Sequence, residues 1–145
     1  MADTEHASTD ARRSGFGRVL ITLYAILALG ATARSLTQLL THYSLAPLAY
    51  LLSAFAGVVY CVATYALSSR RGFSWRLALV AISIELVGVL AVGTASVVAK
   101  SAFPDHTVWS GYGSGYGYIP LVLPFVGLWW LRRTRAVSAV SDGTQ

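Results

Sequence analysis

The chain has 145 residues, of which 55% are hydrophobic and only 12% are charged. Soluble domains carry about 25% charged residues, so this composition argues against an ordinary soluble domain. The net charge of +5 does not indicate nucleic-acid binding, because nine of the ten arginines flank apolar stretches. We therefore expect a membrane protein that binds lipid and no nucleic acid.

Four apolar stretches follow a polar start, at about residues 19–40, 45–67, 77–99 and 118–131. About 20 apolar residues in a helix cross the hydrocarbon core of a bilayer, where only helices and closed barrels satisfy their backbone groups. We predict an all-α, integral membrane four-helix bundle at residues 18–135. A disordered tail is expected at residues 1–17, and a second cytoplasmic tail at residues 136–145.

Arginines predict how the bundle is oriented. Three precede the first stretch, three separate the second from the third, and three follow the fourth: Arg12, Arg13, Arg18, Arg70, Arg71, Arg76, Arg132, Arg133 and Arg135. Cytoplasmic loops are enriched in Lys and Arg, so both termini and the 68–76 connection are predicted to be cytoplasmic. The composition, rich in Arg and Ala, is typical of GC-rich bacterial genomes, so we expect the bacterial cytoplasmic membrane.

Glu85 is the most informative polar residue, because it lies about 13 Å into the third stretch at 1.5 Å per residue. A charge near the bilayer centre costs at least ~2.5 kcal/mol, so Glu85 is neutral, paired or in contact with water. Tyr60 lies at a similar depth and is the predicted hydrogen-bond donor to Glu85. Arg34 lies about 10 Å further out, so it either pairs through helix tilt or extends outward toward Gln38 and His42.

The outer loop, Ser101–Tyr118, alternates glycine with tyrosine and serine over residues 111–118. Alternate glycines allow backbone shapes that other residues avoid. Trp109, Tyr112, Tyr116 and Tyr118 therefore form either an aromatic belt that caps the bundle or an exposed surface that binds a partner.

Other patterns are weaker. The Gly-Tyr-Gly sequence lacks the pore helix of a potassium filter, and Asp105-His106 has no spaced partner for a metal site. Small residues at Ser53, Gly57 and Cys61, and at Ala91, Ala95 and Ala99, suit either packing inside the bundle or a dimer seam. No cofactor motif and no paired catalytic groups are present, so we expect neither a cofactor nor an enzyme.

The hydropathy pattern of the whole chain resembles small four-span bacterial integral membrane proteins, a resemblance that implies no activity. Small multidrug-resistance transporters share this length and span number, but they carry an essential glutamate in the first span, whereas Glu85 lies in the third. The sequence is consistent with two functions. The first is a non-catalytic accessory or scaffold subunit with a protein partner or a second copy of itself. The alternative is a small oligomeric transporter or proton-coupled carrier that uses Glu85.

Overall fold

A computed structural model describes residues 2–69 and 72–143 of the chain. Every regular element among them is helical: α1 (Ala2–Thr41), α2 (Pro47–Ser68), α3 (Gly72–Val98) and α4 (Ile119–Asp142), with 3-10 turns at Lys100–Ala102 and Ser110–Tyr116. Three segments are long and apolar enough to cross a membrane: Gly15–Thr41, Pro47–Ser68 and Trp75–Val98. The predicted all-α class is confirmed for the described residues.

Two helices are longer than the sequence predicts. α1 begins at Ala2, within the segment where a disordered tail is expected, and α4 continues beyond Leu131 to Asp142. The α4 extension, residues 132–142, contains neither glycine nor proline, so nothing local ends that helix. The α1 extension contains no proline, and its glycines, Gly15 and Gly17, lie within the helix without interrupting it. Arg70 and Arg71 lie outside the described residues, as do the side chains of Arg12 and Arg13.

α1 and α2 form a closely packed hairpin. The Leu45 backbone N–H donates to the His42 carbonyl oxygen at 3.0 Å, and Pro47 occupies the first turn of α2, where its missing N–H costs nothing. A Cβ added at Gly57 would lie 3.1 Å from Thr32 Oγ1 and 3.3 Å from the Thr32 backbone nitrogen. Gly57 thus lets two helix backbones approach each other inside the bundle.

Aromatic contacts bring the middle of α4 beside Phe16 of α1 and the start of α3. The ring centroids of Phe16 and Trp129 are 6.0 Å apart, and Trp75 Nε1 donates to the Leu131 carbonyl oxygen at 3.2 Å. α4 therefore runs antiparallel to α1 and α3. We call this end of the bundle the basic end, because it carries Arg18, Arg76, Arg132, Arg133 and Arg135; the opposite end is the loop end.

The α3–α4 loop, residues 99–118, enters the bundle from the loop end. Trp109 is only 1% exposed, and a Cβ added at Gly88 would lie 2.5 Å from its indole ring. Gly88 lies ten residues before the end of α3 at Val98, which places the indole about 15 Å below that end. The loop is therefore re-entrant.

Left-handed backbone turns the loop around after Trp109. Gly111, Tyr112 and Gly113 have φ values of 56°, 61° and 82°. This conformation is easy for glycine but costs other residues about 1–2 kcal/mol. Tyr112 is held there because its ring packs on Gly93 and its hydroxyl lies 2.9 Å from Thr94 Oγ1. The alternating glycines expected to permit unusual backbone do so at residues 111, 113 and 117.

Hydroxyl side chains supply acceptors for the backbone of this loop. The Val108 N–H donates to Ser53 Oγ at 3.3 Å, and the Gly111 N–H donates to Ser96 Oγ at 2.9 Å. Within the loop, the Thr107 N–H donates to Ser110 Oγ at 2.8 Å. Irregular backbone is tolerated at membrane depth only where protein groups satisfy it, so these serines allow the loop to be buried.

Replacing Ser53 by Ala should destabilise the protein, because it leaves the buried Val108 N–H without an acceptor. The expected loss is ~1–2 kcal/mol, measured by thermal unfolding in detergent. Ser83→Ala is the matched control, because the described hydrogen bond of Ser83 Oγ is to the Leu79 carbonyl of its own helix. Equal melting temperatures for the two variants would contradict this role of Ser53.

Candidate functional site

The buried polar groups at the centre of the bundle form one cluster. Tyr24 donates its hydroxyl to Glu85 Oε2 at 2.7 Å, and Trp109 Nε1 donates to the Tyr60 hydroxyl at 2.8 Å. The ring centroids of Tyr24 and Tyr60 are 6.3 Å apart, which joins the two pairs. We call these four residues the core polar cluster.

Each member of the cluster comes from a different element, namely α1, α2, α3 and the α3–α4 loop. α4 closes the remaining side at Gly127, where an added Cβ would lie 3.4 Å from the Tyr24 hydroxyl. Tyr24, Tyr60 and Glu85 are 0% exposed. All four helices and the loop therefore meet at this point, and none of the three side chains contacts solvent.

Glu85 has an unused acceptor. Its Oε2 accepts the hydrogen bond from the Tyr24 hydroxyl, but its Oε1 is buried without a described hydrogen-bond partner. A carboxyl group has about four acceptor sites, so this one retains the capacity to bind a further donor or a cation. Glu85 is the one carboxyl among the four residues of the cluster.

The structure corrects the predicted partner of Glu85. Tyr60 lies nearby, but its hydroxyl accepts the Trp109 indole N–H, and the donor to Glu85 is Tyr24. The same depth count would have found Tyr24, which lies about 9 Å beyond Arg18 against about 13 Å for Glu85. Trp109 was not foreseen because no pattern in the sequence shows that the loop enters the bundle.

Arg34 does not pair with Glu85. Its Nη2 donates to the His106 carbonyl oxygen at 3.2 Å and lies 4.0 Å from Asp105 Oδ1, at the loop end. Gln38 Nε2 and the Tyr50 hydroxyl donate to Asp105 Oδ2 at 3.3 and 3.0 Å. The predicted outward extension of Arg34 agrees with this position, and its partner is a loop carboxylate. These residues bind the start of the re-entrant segment to α1 and α2.

These contacts change the pKa of the Asp105 carboxyl. Burial opposes its ionisation, but the His106 backbone N–H, the Tyr50 hydroxyl and the Arg34 guanidinium favour the carboxylate more strongly. The pKa of Asp105 is therefore lower than its ordinary value. The ionised carboxylate of Asp105 therefore holds the loop, and protonation weakens the hydrogen bonds that it accepts and its attraction to Arg34.

The expected aromatic surface on the loop is much smaller than the sequence suggests. Trp109 is buried and Tyr112 and Tyr116 are half-buried, whereas Tyr118 is 52% exposed. The expectation that Trp109 is exposed is wrong, because Gly88 leaves room for its indole in the bundle. A partner at the loop end would meet Tyr118 and the exposed residues Ser114, Gly115 and Gly117.

Asp105 and His106 are not part of a cluster of metal-ligating side chains among the described residues. Among the described residues no group of three or more His, Cys, Asp or Glu side chains comes together. Asp105 instead contacts Arg34, Gln38 and Tyr50. These two residues therefore belong to the anchor of the loop.

Comparison with known proteins gives no match: no family model, no curated protein and no solved structure is similar to this chain. The role of the cluster is therefore argued from its own contacts.

A double-mutant cycle should detect the Tyr24–Glu85 hydrogen bond. Glu85→Leu leaves the Tyr24 hydroxyl without an acceptor and should cost ~1 kcal/mol, since hydrogen bonds between membrane helices average about 0.6 and reach about 1.7 kcal/mol. Adding Tyr24→Phe should restore part of that loss, because both polar groups are then absent. Glu85→Gln should fold normally, as its amide oxygen still accepts the proton. Strictly additive effects in thermal unfolding would rule the bond out.

Stability should depend on pH through Asp105. A carboxyl whose pKa is lower in the folded state stabilises the fold above its unfolded value, about 3.9, and this contribution disappears as pH falls through the folded value. Asp105→Asn should therefore melt below the wild type at pH 6. The difference should shrink as both proteins are acidified below about pH 4. A difference that stays constant from pH 6 to pH 3 would be inconsistent with this assignment.

Proposed function

We propose that the chain is a four-span protein of the bacterial cytoplasmic membrane, with both termini in the cytoplasm, that acts as a non-catalytic accessory or scaffold subunit. The observation that carries this proposal is the closed core. The α3–α4 loop fills the loop end of the bundle, and Glu85, the one acidic group within the three apolar segments, is fully buried. A bundle whose described core is closed by the loop suits assembly with other membrane proteins better than solute passage.

The fourth crossing is supported by the position of α4. Its apolar part, residues 119–131, is about 20 Å long, shorter than the ~30 Å hydrocarbon core. The re-entrant loop compensates, because it supplies buried protein above the start of α4, where Pro120 packs on Gly113. α4 also brings its three arginines to the basic end, together with Arg18 and Arg76, which favours one cytoplasmic side under the positive-inside rule.

Reporter fusions test this topology. Fusions after residues 44, 72, 102 and 142 should report outside, inside, outside and inside. The fusion at residue 142 decides, because a three-span protein would leave it on the same side as residue 102. An outside signal at residue 142 would refute the four-span arrangement.

The surface of α3 is the best supported site for a protein partner. Val80, Ile84 and Val87 are exposed along one side of the helix, and a groove of about 500 Å³ lies between them and Phe55 of α2. The same helix continues with Ala91 and Ala95, and small residues let a second membrane helix approach closely. A helix of another subunit, or of a second copy, fits this surface.

Photo-crosslinking in native membranes tests the accessory role. A photoreactive residue at Val87 should give one discrete protein adduct, because Val87 is 66% exposed beside the groove. The matched control is Leu29 on α1, which is 73% exposed and is not among the residues that line this groove. An adduct with twice the mass of the chain would identify a homo-oligomer. Lipid adducts alone at both positions would contradict the accessory role.

A second function, a proton-coupled or oligomeric carrier, is favoured by one observation: Glu85 Oε1 is buried without a partner at membrane depth. Such a group is available to a proton or cation if the loop opens. Glu85→Gln separates the two functions. The carrier is favoured over the accessory subunit if the Glu85→Gln variant loses ion-driven solute uptake in proteoliposomes while its melting temperature and its crosslinking at Val87 stay unchanged.

A further inference from the structure

An apolar groove separates α1 from α4 on the outer surface of the bundle. Its volume is about 170 Å³, and its walls are aliphatic side chains from both helices: Val19, Leu20, Leu23, Val122, Leu123 and Val126. Val19 and Val122 are 59% and 55% exposed, so the groove opens toward the surroundings of the bundle. It therefore accepts an apolar chain from the side.

The groove leads to an arginine at the basic end. Phe16, which also lines it, packs edge-on against Trp129, and the Arg133 guanidinium lies 5.2 Å from the Trp129 ring centroid. Arg133 follows Val126 by seven residues, so both lie on the same side of α4. Arg132 points about 100° away from Arg133 around the helix axis. An apolar channel and one stacked cation are thus aligned.

Among the described side chains of the basic end there are five arginines and no acidic residue. Within the described part of the chain the one ion pair is Arg34–Asp105, which lies at the opposite, loop end. Arg133 is exposed, and its described contact is the face of Trp129, a stacking contact that uses none of the N–H donors of the guanidinium. A guanidinium fork matches the oxygens of a phosphate group.

We infer that the groove binds one anionic membrane phospholipid, with its phosphate on Arg133 and an acyl chain between α1 and α4. An aligned cation and apolar groove complement the two parts of such a lipid. A zwitterionic choline lipid adds a positive headgroup next to the arginines and binds less well. The inference rests on the proposed four-span placement, which sets the basic end at a membrane interface, and not on the accessory role.

Lipid retention by the purified full-length protein tests the inference. The protein is titrated with phosphatidylglycerol or phosphatidylcholine of identical acyl chains, and bound lipid is counted by native mass spectrometry. One phosphatidylglycerol should bind about tenfold more tightly than phosphatidylcholine, which is about 1.4 kcal/mol. Arg133→Gln should abolish this preference, whereas Arg132→Gln, the matched control, should keep it because its side chain points away from the groove.

A second variant tests the groove separately from the charge. Val122→Phe should reduce retention of both lipids, because the larger ring occupies the space for the chain while every arginine remains. Melting temperatures of all variants establish that they are folded. Equal binding of the two lipids by the wild type would overturn the inference. Equal losses in Arg132→Gln and Arg133→Gln, or a dimer that excludes lipid from the groove, would also overturn it. If the wild type shows no lipid preference while the reporter fusion at residue 142 reports inside, this lipid site alone is refuted. If the fusion at residue 142 reports outside, the four-span topology is refuted.

Discussion

The structure depends on satisfying the backbone of an irregular loop inside an apolar bundle. Water is absent from a bilayer core, so each buried N–H outside a helix needs a protein acceptor. Ser53 and Ser96 on two different helices, with Ser110 and Thr107 in the loop, provide these acceptors. Without these acceptors the α3–α4 loop would remain at the surface, and the loop end of the bundle would lose its core.

The buried loop in turn determines the chemistry of the centre. Trp109 occupies the space over Gly88 and donates to the Tyr60 hydroxyl, while Tyr24 is the donor to Glu85. At the loop end, Asp105 binds Arg34, Gln38 and Tyr50, which anchors the chain where it enters. The loop therefore provides separate partners for Arg34 and for the centre around Glu85, the two ionisable residues that lie well inside the apolar stretches.

Helices were predictable from sequence because hydropathy and length reflect the bilayer directly. The depth of Glu85 and the outward position of Arg34 followed from a rise of about 1.5 Å per residue. Trp109 and Tyr24 show the limit of such reasoning. Aromatic residues with a polar atom suit a membrane interface and a buried hydrogen bond equally well, and only the three-dimensional match with Gly88 and the serines selects burial. The helical start of α1 was also not predicted, since composition alone does not measure helix continuation.

Closure of the bundle also bears on function. A buried carboxyl with a free oxygen is an unusual feature in a scaffold, whereas a sealed core is unusual in an open carrier. Both follow from the same loop, because Trp109 packs over Gly88, which lies three residues nearer the loop end than Glu85 on α3. The accessory role and the carrier role therefore differ in one physical respect, namely whether the loop stays in place.

Chemical labelling of the loop measures its position most directly. In a Cys61→Ala background, Val108→Cys and Ser114→Cys are treated in intact cells with a membrane-impermeant maleimide. Val108 is 1% exposed and Ser114 is exposed, so only Cys at position 114 should react until the protein is denatured. Equal, rapid labelling at both positions would contradict a re-entrant loop and, with it, the closed core.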